Sequence, residues 1–114
     1  MNIDELTIKQ ARELANLFGN KTESSRAHPF QVGNAYLVRT VTMIILGKLE
    51  VVFDNELLLS QASWIADTGR FSEALSGGED KLKEIEPFPN DVIIGRNSII
   101  DATVWEHKLP TEQK

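Results

Sequence analysis

Cysteine is absent from this chain of 114 residues, and histidine occurs only at His28 and His107. Without cysteine the chain has no disulfide of its own, no thiolate metal site and no cysteine nucleophile. The two histidines lie far apart in the sequence, and neither has the spacing of a metal site or of a Ser-His-Asp triad. We therefore predict a protein that is not an enzyme, with no catalytic residue, no metal and no cofactor.

Long apolar runs and basic clusters are also missing. No run approaches the roughly 20 apolar residues of a membrane helix, and residues 1–5 lack the basic and apolar regions of a secretion signal. The chain has 12 basic and 17 acidic residues, so its net charge is −5. A protein that coats nucleic acid usually carries a basic stripe. We expect a cytoplasmic protein that contacts no membrane and does not bind nucleic acid in general.

An amphipathic helix is predicted for residues 6–19. Thr7 and Gln10 have the spacing of a capping box, and Gly19 follows the last apolar residue as a helix stop. The next stretch, residues 20–29, is polar and is predicted to be a connector.

The pattern changes to strands in a β-rich core over residues 30–109, followed by a polar tail over residues 110–114. β-branched and aromatic residues, separated by short turn signals, indicate antiparallel strands. We predict them at Tyr36–Met43, Lys48–Phe53, Glu56–Trp64, Val92–Ile94 and Ser98–Trp105.

Between the third and fourth predicted strands the sequence contains weaker signals. Residues 70–75 are typical of one helical turn, and residues 84–88 of an extended segment that Pro87 and Pro89 confine to a sheet edge or a bend. The chain is then a single domain, residues 1–114, that is mainly β with an N-terminal helix. We expect a small five-stranded antiparallel barrel of the Sm or SH3 type, and the alternative is an open α+β sheet with the helix on one face.

Several side chains have the chemistry of a ligand-binding site. Tryptophan and arginine planes stack on rings, and arginine also binds anions through two hydrogen bonds. The alternative is structural: Trp64 would belong to the core, Arg39 would face solvent and Arg96 would be a turn residue. The candidate ligand-binding residues are Arg39, Trp64, Thr68, Arg70, Arg96 and Asn97.

Two segments carry a resemblance to a known family. The run of residues 39–43 (Arg-Thr-Val-Thr-Met) and the run of residues 63–71 (Ser-Trp-Ile-Ala-Asp-Thr-Gly-Arg-Phe) resemble a family of small uncharacterised proteins from bacteriophages and prophages. The resemblance implies a viral protein located in the bacterial host cell. It implies no particular activity.

A second resemblance is architectural. Residues 47–59 are similar to the first Sm motif, and residues 94–99 to the second. The order in this chain is Gly95-Arg96, whereas the Sm motif has arginine before glycine. The resemblance implies a small β-barrel that assembles into rings by pairing of edge strands.

These observations lead to a functional prediction with two alternatives. We predict a non-enzymatic, phage-encoded binding protein that antagonises host defence, either by sequestering a small nucleotide signal or by binding a host effector. The expected partners are further copies of the same chain in a homo-oligomer, a small nucleotide and a host protein. The first alternative is an Sm-like RNA-binding regulator, and the second is a structural or assembly accessory of the virion.

Overall fold

A computed structural model describes residues 28–114, so the predicted N-terminal helix and most of the connector lie outside the described residues. The described part is mainly β, with six antiparallel strands and one short α-helix. The strands are β1 (Ala35–Thr40), β2 (Ile44–Val52), β3 (Glu56–Asp67), β4 (Glu84–Pro87), β5 (Val92–Gly95) and β6 (Ile99–Trp105). Between β3 and β4 lie α1 (Phe71–Gly77) and a 3₁₀ turn (Gly78–Lys81), and a second 3₁₀ turn (Arg96–Ser98) joins β5 to β6.

The sheet is open, so the prediction of a closed five-stranded barrel is wrong. Its strand order is β4-β3-β2-β1-β6, and β5 also pairs with β3. The strand β3 is 12 residues long. Its first half pairs with β5 and its second half with β4, so two strands share one edge. β6 pairs only with β1 in the described part, and the two ends of the sheet are therefore not joined.

An apolar core packs against each face of the sheet. Successive residues of a strand point to opposite faces, and in β1 Val38 packs into one apolar cluster while Leu37 packs into another. The first core consists of Tyr36, Val38, Ile45, Leu49, Leu57, Leu59, Ala62 and Ile94. The second core consists of Leu37, Leu46, Ile65, Ala74, Leu82, Ile85 and Trp105. The helix α1 contributes Ala74 to the second core, which explains why that face of the sheet is not solvated.

The last residues of the chain, predicted as a polar tail, pack against the fold. Leu109 packs against the second core, and Pro110 is buried. The backbone of Lys114 donates to and accepts from that of Ile85, at 2.9 and 3.0 Å. The tail thus covers the outer edge of β4, which is the edge position that the prolines predicted.

The first predicted strand is shorter than expected. It was predicted to reach Met43, but β1 ends at Thr40 because the Thr40 hydroxyl accepts from the backbone N–H of Met43 at 2.9 Å and closes a turn. The second strand is longer than predicted. It begins at Ile44 and passes through Gly47, which the sequence suggested as a break.

Position 47 of β2 is occupied by glycine because the neighbouring strand leaves no room for a side chain there. A Cβ atom at this position would lie 3.0 Å from the Cβ and 3.1 Å from the Cα of Ala62 on β3. We expect Gly47→Ala to lower the free energy of unfolding by about 1–3 kcal/mol, the usual cost of overpacking. Gly95→Ala is the matched control, because nothing lies within 4 Å of a Cβ there, and it should change stability by less than about 0.5 kcal/mol. Urea denaturation measures both, and equal losses would contradict the packing argument.

Candidate functional site

The 3₁₀ turn between β5 and β6 is fastened to the turn between β2 and β3 through Arg96. The backbone N–H of Arg96 donates to the carbonyl oxygen of Asn55 at 2.8 Å. Its side-chain Nη1 donates to the carbonyl oxygens of Phe53 and Asp54, at 2.8 and 3.2 Å. Arg96 is therefore a turn residue, as the structural alternative held, but its guanidinium also forms part of a surface cleft.

That cleft has a volume of about 310 Å³ and is lined by Phe30, Asp54, Arg96, Asn97 and Ile99. The Arg96 guanidinium carbon lies 5.8 Å from the centre of the Phe30 ring, within the range of a cation–π contact. Nη1 is the only side-chain nitrogen of Arg96 with a hydrogen-bond partner among residues 28–114. The remaining donors of this guanidinium are available at the cleft.

Phe30 is held in place by its neighbours. Its ring meets the ring of Tyr36 edge to face, with centroids 5.7 Å apart and an angle of 77°. The Tyr36 hydroxyl in turn accepts from the backbone N–H of Gln31 at 2.8 Å. Since Tyr36 belongs to the first core, the aromatic wall of the cleft is anchored in the sheet.

The groups around the cleft differ in chemistry. Arg96 offers a cation with several N–H donors, Asn97 an exposed amide, and Asp54 a carboxylate. Phe30 and Ile99 supply an aromatic and an aliphatic surface. A ligand that combines a flat ring with an anionic group and hydroxyl groups matches these properties better than a purely apolar or a purely anionic ligand does.

Arg39 is the second predicted arginine, and the structure places it in an ion pair. Its Nε donates to Asp101 of β6 at 2.8 Å, and its Nη2 donates to the other oxygen of the same carboxylate. The guanidinium carbon also lies 4.7 Å from the centre of the Phe71 ring on α1. Arg39 thus ties β1, β6 and α1 together, although its side chain stays partly exposed.

The ion pair changes the titration of both groups. Hydrogen bonding from the Arg39 guanidinium lowers the pKa of the Asp101 carboxyl, and the same bond raises the pKa of Arg39. Burial opposes both shifts, and the opposite charge of the partner adds to them. The Asp101 carboxylate therefore stays ionised well into the acidic range, and the pair is lost only as the pH falls through that lowered pKa.

Trp64, predicted as a stacking platform or as a core residue, lies on β3 and is 36 % exposed. Its neighbours across the strands are Ile45 of β2 and Glu86 of β4. It does not line the cleft at Arg96. The other tryptophan, Trp105, is 3 % exposed and belongs to the second core.

Thr68 and Arg70 lie in the turn that leads into α1. The carboxylate of Asp67 accepts from the backbone N–H of Gly69 at 2.8 Å, and the Thr68 hydroxyl donates to the carbonyl of Gly69 at 2.9 Å. The Thr68 hydroxyl is therefore used within the turn. Arg70 is exposed and caps α1 with its backbone, while its side chain has no cap bond.

The six predicted residues consequently do not form one site. Arg96 and Asn97 share the cleft, Thr68 and Arg70 share a turn next to Phe71, and Trp64 is in neither place. The sequence does not reveal the rest of the cleft, which is Phe30, Asp54 and Ile99. No local pattern could place Phe30 against Arg96, because 66 positions separate them in the chain.

Among residues 28–114 no group of three or more His, Asp or Glu side chains is placed to hold a metal ion. In the same part of the chain, no helix has the length and apolar character needed to span a membrane.

The chain matches no protein-family model, no curated protein and no solved structure. The resemblances to phage proteins and to Sm-like barrels therefore stay predictions.

Proposed function

We propose that this protein binds a small nucleotide in the cleft at Arg96 and does not convert it. The observation that carries the proposal is the position of the Arg96 guanidinium, 5.8 Å from the centre of the Phe30 ring, at the mouth of a cleft of about 310 Å³. A flat aromatic surface and a cation with unused donors meet there. A nucleotide brings the two complementary groups, a ring and a phosphate.

Each side of the ligand has a counterpart in the cleft. A base stacks on the Phe30 ring, with Ile99 closing the apolar side. The Asn97 amide is both donor and acceptor and pairs with a polar base edge. The phosphate takes the remaining donors of Arg96.

The biological setting of this proposal is the antagonism of host defence. A protein that holds a signalling nucleotide without turning it over lowers the free concentration of that signal, in proportion to the number of binding sites. The support for this setting is the resemblance of residues 39–43 and 63–71 to phage proteins, together with a cleft of suitable chemistry.

Calorimetric titration of the purified full chain tests the binding. The probes are adenosine and guanosine 5′-monophosphate, the free nucleosides and inorganic phosphate. We expect the monophosphates to bind more tightly than the nucleosides or phosphate alone, because only they use both Phe30 and Arg96. Recovery of the nucleotide after long incubation, followed by ³¹P NMR, should show it unchanged, and hydrolysis would contradict a purely binding role.

Variants locate the site. Phe30→Leu keeps an apolar side chain but removes the ring, and stacking of one base is worth about 1–3 kcal/mol, which is about fivefold or more in Kd. Asn97→Ala changes an exposed residue and should weaken binding without affecting the fold. Arg70→Ala is the matched control, because Arg70 is an exposed arginine that does not line the cleft. Equal affinity of all variants, or no binding of any probe, would refute the proposal.

An RNA-binding role is the alternative outcome of the same titration. A short single-stranded oligoribonucleotide that binds more tightly than any monophosphate, with an affinity that falls steeply with salt, would favour the Sm-like interpretation. The net charge of −5 argues against a steep salt dependence.

A further inference from the structure

Trp64 is the exposed tryptophan of the described part, and it does not line the cleft at Arg96. Its neighbour across the strands on β2 is Ile45, which is 6 % exposed and belongs to the first core. The indole therefore has a core residue beside it and is still 36 % exposed. Tryptophan is enriched among the side chains that dominate the binding energy of protein interfaces. An exposed tryptophan that is backed by the core is thus a candidate anchor for a partner.

A carboxylate lies next to this indole on the other neighbouring strand. Glu86 of β4 is the residue directly opposite Trp64, and residues in such a pair have Cβ atoms about 4.5–5.5 Å apart and point to the same face of the sheet. The pair lies in a regular part of the ladder, because the register shift between β3 and β4 comes after Ile65. Trp64 and Glu86 are therefore neighbours on the face of the sheet that carries the first core.

The strand β4 carries a second carboxylate on the same face. Its residues alternate in burial, with Glu84 and Glu86 exposed and Ile85 buried between them. Alternate residues of a strand point to one face and lie about 6–7 Å apart. The two exposed carboxylates therefore form a short acidic row beside the indole of Trp64.

No cation of the described chain neutralises this row. Within residues 28–114, no ion pair or cation–π contact involves Trp64, Glu84 or Glu86. The basic residue next in the sequence, Lys83, lies against Gly69 instead, where its Cγ would be 3.2 Å from a Cβ atom. The row therefore presents an aromatic ring and two carboxylates to a cation that another molecule would supply.

We propose that Trp64, Glu84 and Glu86 form a surface, the Trp64 surface, that binds an extended basic segment of a partner protein with arginine or lysine at alternate positions. A cation over the face of a tryptophan is attracted by the ring, and a guanidinium also binds a carboxylate through two hydrogen bonds. In an extended segment, alternate side chains repeat at the same spacing as the two glutamates. One basic side chain therefore pairs with Glu84, and the next pairs with Glu86 and the indole.

Charge complementarity selects this partner. The chain has a net charge of −5, and two neighbouring carboxylates repel a phosphate but attract an ammonium or guanidinium group. The outer edge of β4 is already hydrogen-bonded at Ile85 to Lys114, so the partner approaches the face of the sheet and not this edge. The Trp64 surface shares no residue with the cleft at Arg96, so this proposal does not depend on nucleotide binding.

Nuclear magnetic resonance of the full chain tests the proposal, because the two tryptophans report separately. The probe is the peptide acetyl-Arg-Ala-Arg-Ala-Arg-amide, and its citrulline counterpart has nearly the same shape without the charges. We expect the arginine peptide to shift the indole N–H signal of Trp64 and the backbone signals of β4. The indole of Trp105 should keep its signal, because it is 3 % exposed and donates to the carbonyl oxygen of Lys108. The citrulline peptide should bind at least about fivefold more weakly.

Variants locate the surface. Glu86→Gln keeps the size of the side chain and removes its charge, and Trp64→Leu keeps an apolar side chain beside Ile45 and removes the ring. Each should raise the dissociation constant of the arginine peptide about two- to fivefold, measured on the backbone signals of β4. Glu106→Gln is the matched control, because Glu106 is exposed and follows β6 at the opposite end of the sheet. It should leave the dissociation constant unchanged.

Three results would overturn the proposal. The first is that the arginine peptide shifts neither the indole of Trp64 nor β4, and the second is that the citrulline peptide binds equally well. The third is that Glu106→Gln weakens binding as much as Glu86→Gln, because the peptide would then respond only to the net charge of the chain. The peptide acetyl-Arg-Arg-Arg-Ala-Ala-amide tests the spacing with the same charge. It should bind about twofold or more weakly than the alternating peptide, and equal binding would overturn the alternate spacing.

Discussion

Replacement of Trp105 by alanine is expected to lower the free energy of unfolding by about 3–5 kcal/mol, the usual cost of removing a large aromatic side chain from a core. Trp105 belongs to the second core, together with residues from β1 to β4 and α1. Its indole Nε1 donates to the carbonyl oxygen of Lys108 at 3.2 Å, and its ring meets the ring of His107 with centroids 5.1 Å apart. The substitution therefore leaves a cavity and also loosens the last residues of the chain.

The matched control is the same change at the other tryptophan. Trp64 is 36 % exposed, so Trp64→Ala removes less buried apolar area and should cost clearly less stability. Urea denaturation followed by far-ultraviolet circular dichroism measures both losses without relying on tryptophan emission. Losses of similar size, or a larger loss at Trp64, would show that the assignment of the two tryptophans to core and surface is wrong.

The strands could be predicted from the sequence because their signals are local. The alternation around Leu49 and Val51, and the β-branched residues after Ser98, reflect burial of one or both faces of a strand at regular spacing. For α1 the sequence predicts only one helical turn, because seven residues with a single fully buried side chain give a weak periodic signal.

The features that could not be predicted depend on contacts between distant residues. The sequence suggests a strand break at Gly47, whereas the structure places Gly47 within β2, in close contact with Ala62 of β3. The sequence predicts a polar tail but not the backbone hydrogen bonds between Lys114 and Ile85. In the open sheet two strands share the edge of β3, and no short segment of sequence encodes which strand takes which half of that edge.

The same limit applies to the candidate site. Arg39 and Arg96 were chosen for their chemistry, and arginines in such positions form either ion pairs or ligand contacts. Arg39 proved to be paired with Asp101 at a separation of 62 residues, and Arg96 to lie beside Phe30. The residue type thus indicates which hydrogen bonds and charge contacts a side chain can make. Its partners within the fold decide how many of these contacts remain available for a ligand.

The second large effect is expected at Gly78, where α1 passes into the 3₁₀ turn. Gly78 has φ of 81° and ψ of −152°, a backbone conformation that is essentially confined to glycine. A Cβ atom there would lie 2.8 Å from Cγ of the His107 ring. Gly78→Ala should therefore cost about 1–3 kcal/mol for the backbone alone, with a further loss because His107 has to move.

The cost of Gly78→Ala has two contributions, the backbone strain and the steric clash with His107. They can be measured separately, because His107 can be replaced by itself. Its Nε2 lies 2.7 Å from the carbonyl oxygen of Leu75 and donates to it, because a carbonyl oxygen can only accept. His107→Ala removes this bond and also the ring against which the new methyl group would press. We expect the double variant Gly78→Ala/His107→Ala to lose less stability than the sum of the single variants, because the closest contacts, those with the imidazole ring, are then absent. The backbone strain, the lost bond and the 3.0 Å contact with the Cβ atom of residue 107 remain. Urea denaturation of the four proteins gives the coupling energy, and strictly additive losses would mean that the His107 ring does not limit the space at Gly78.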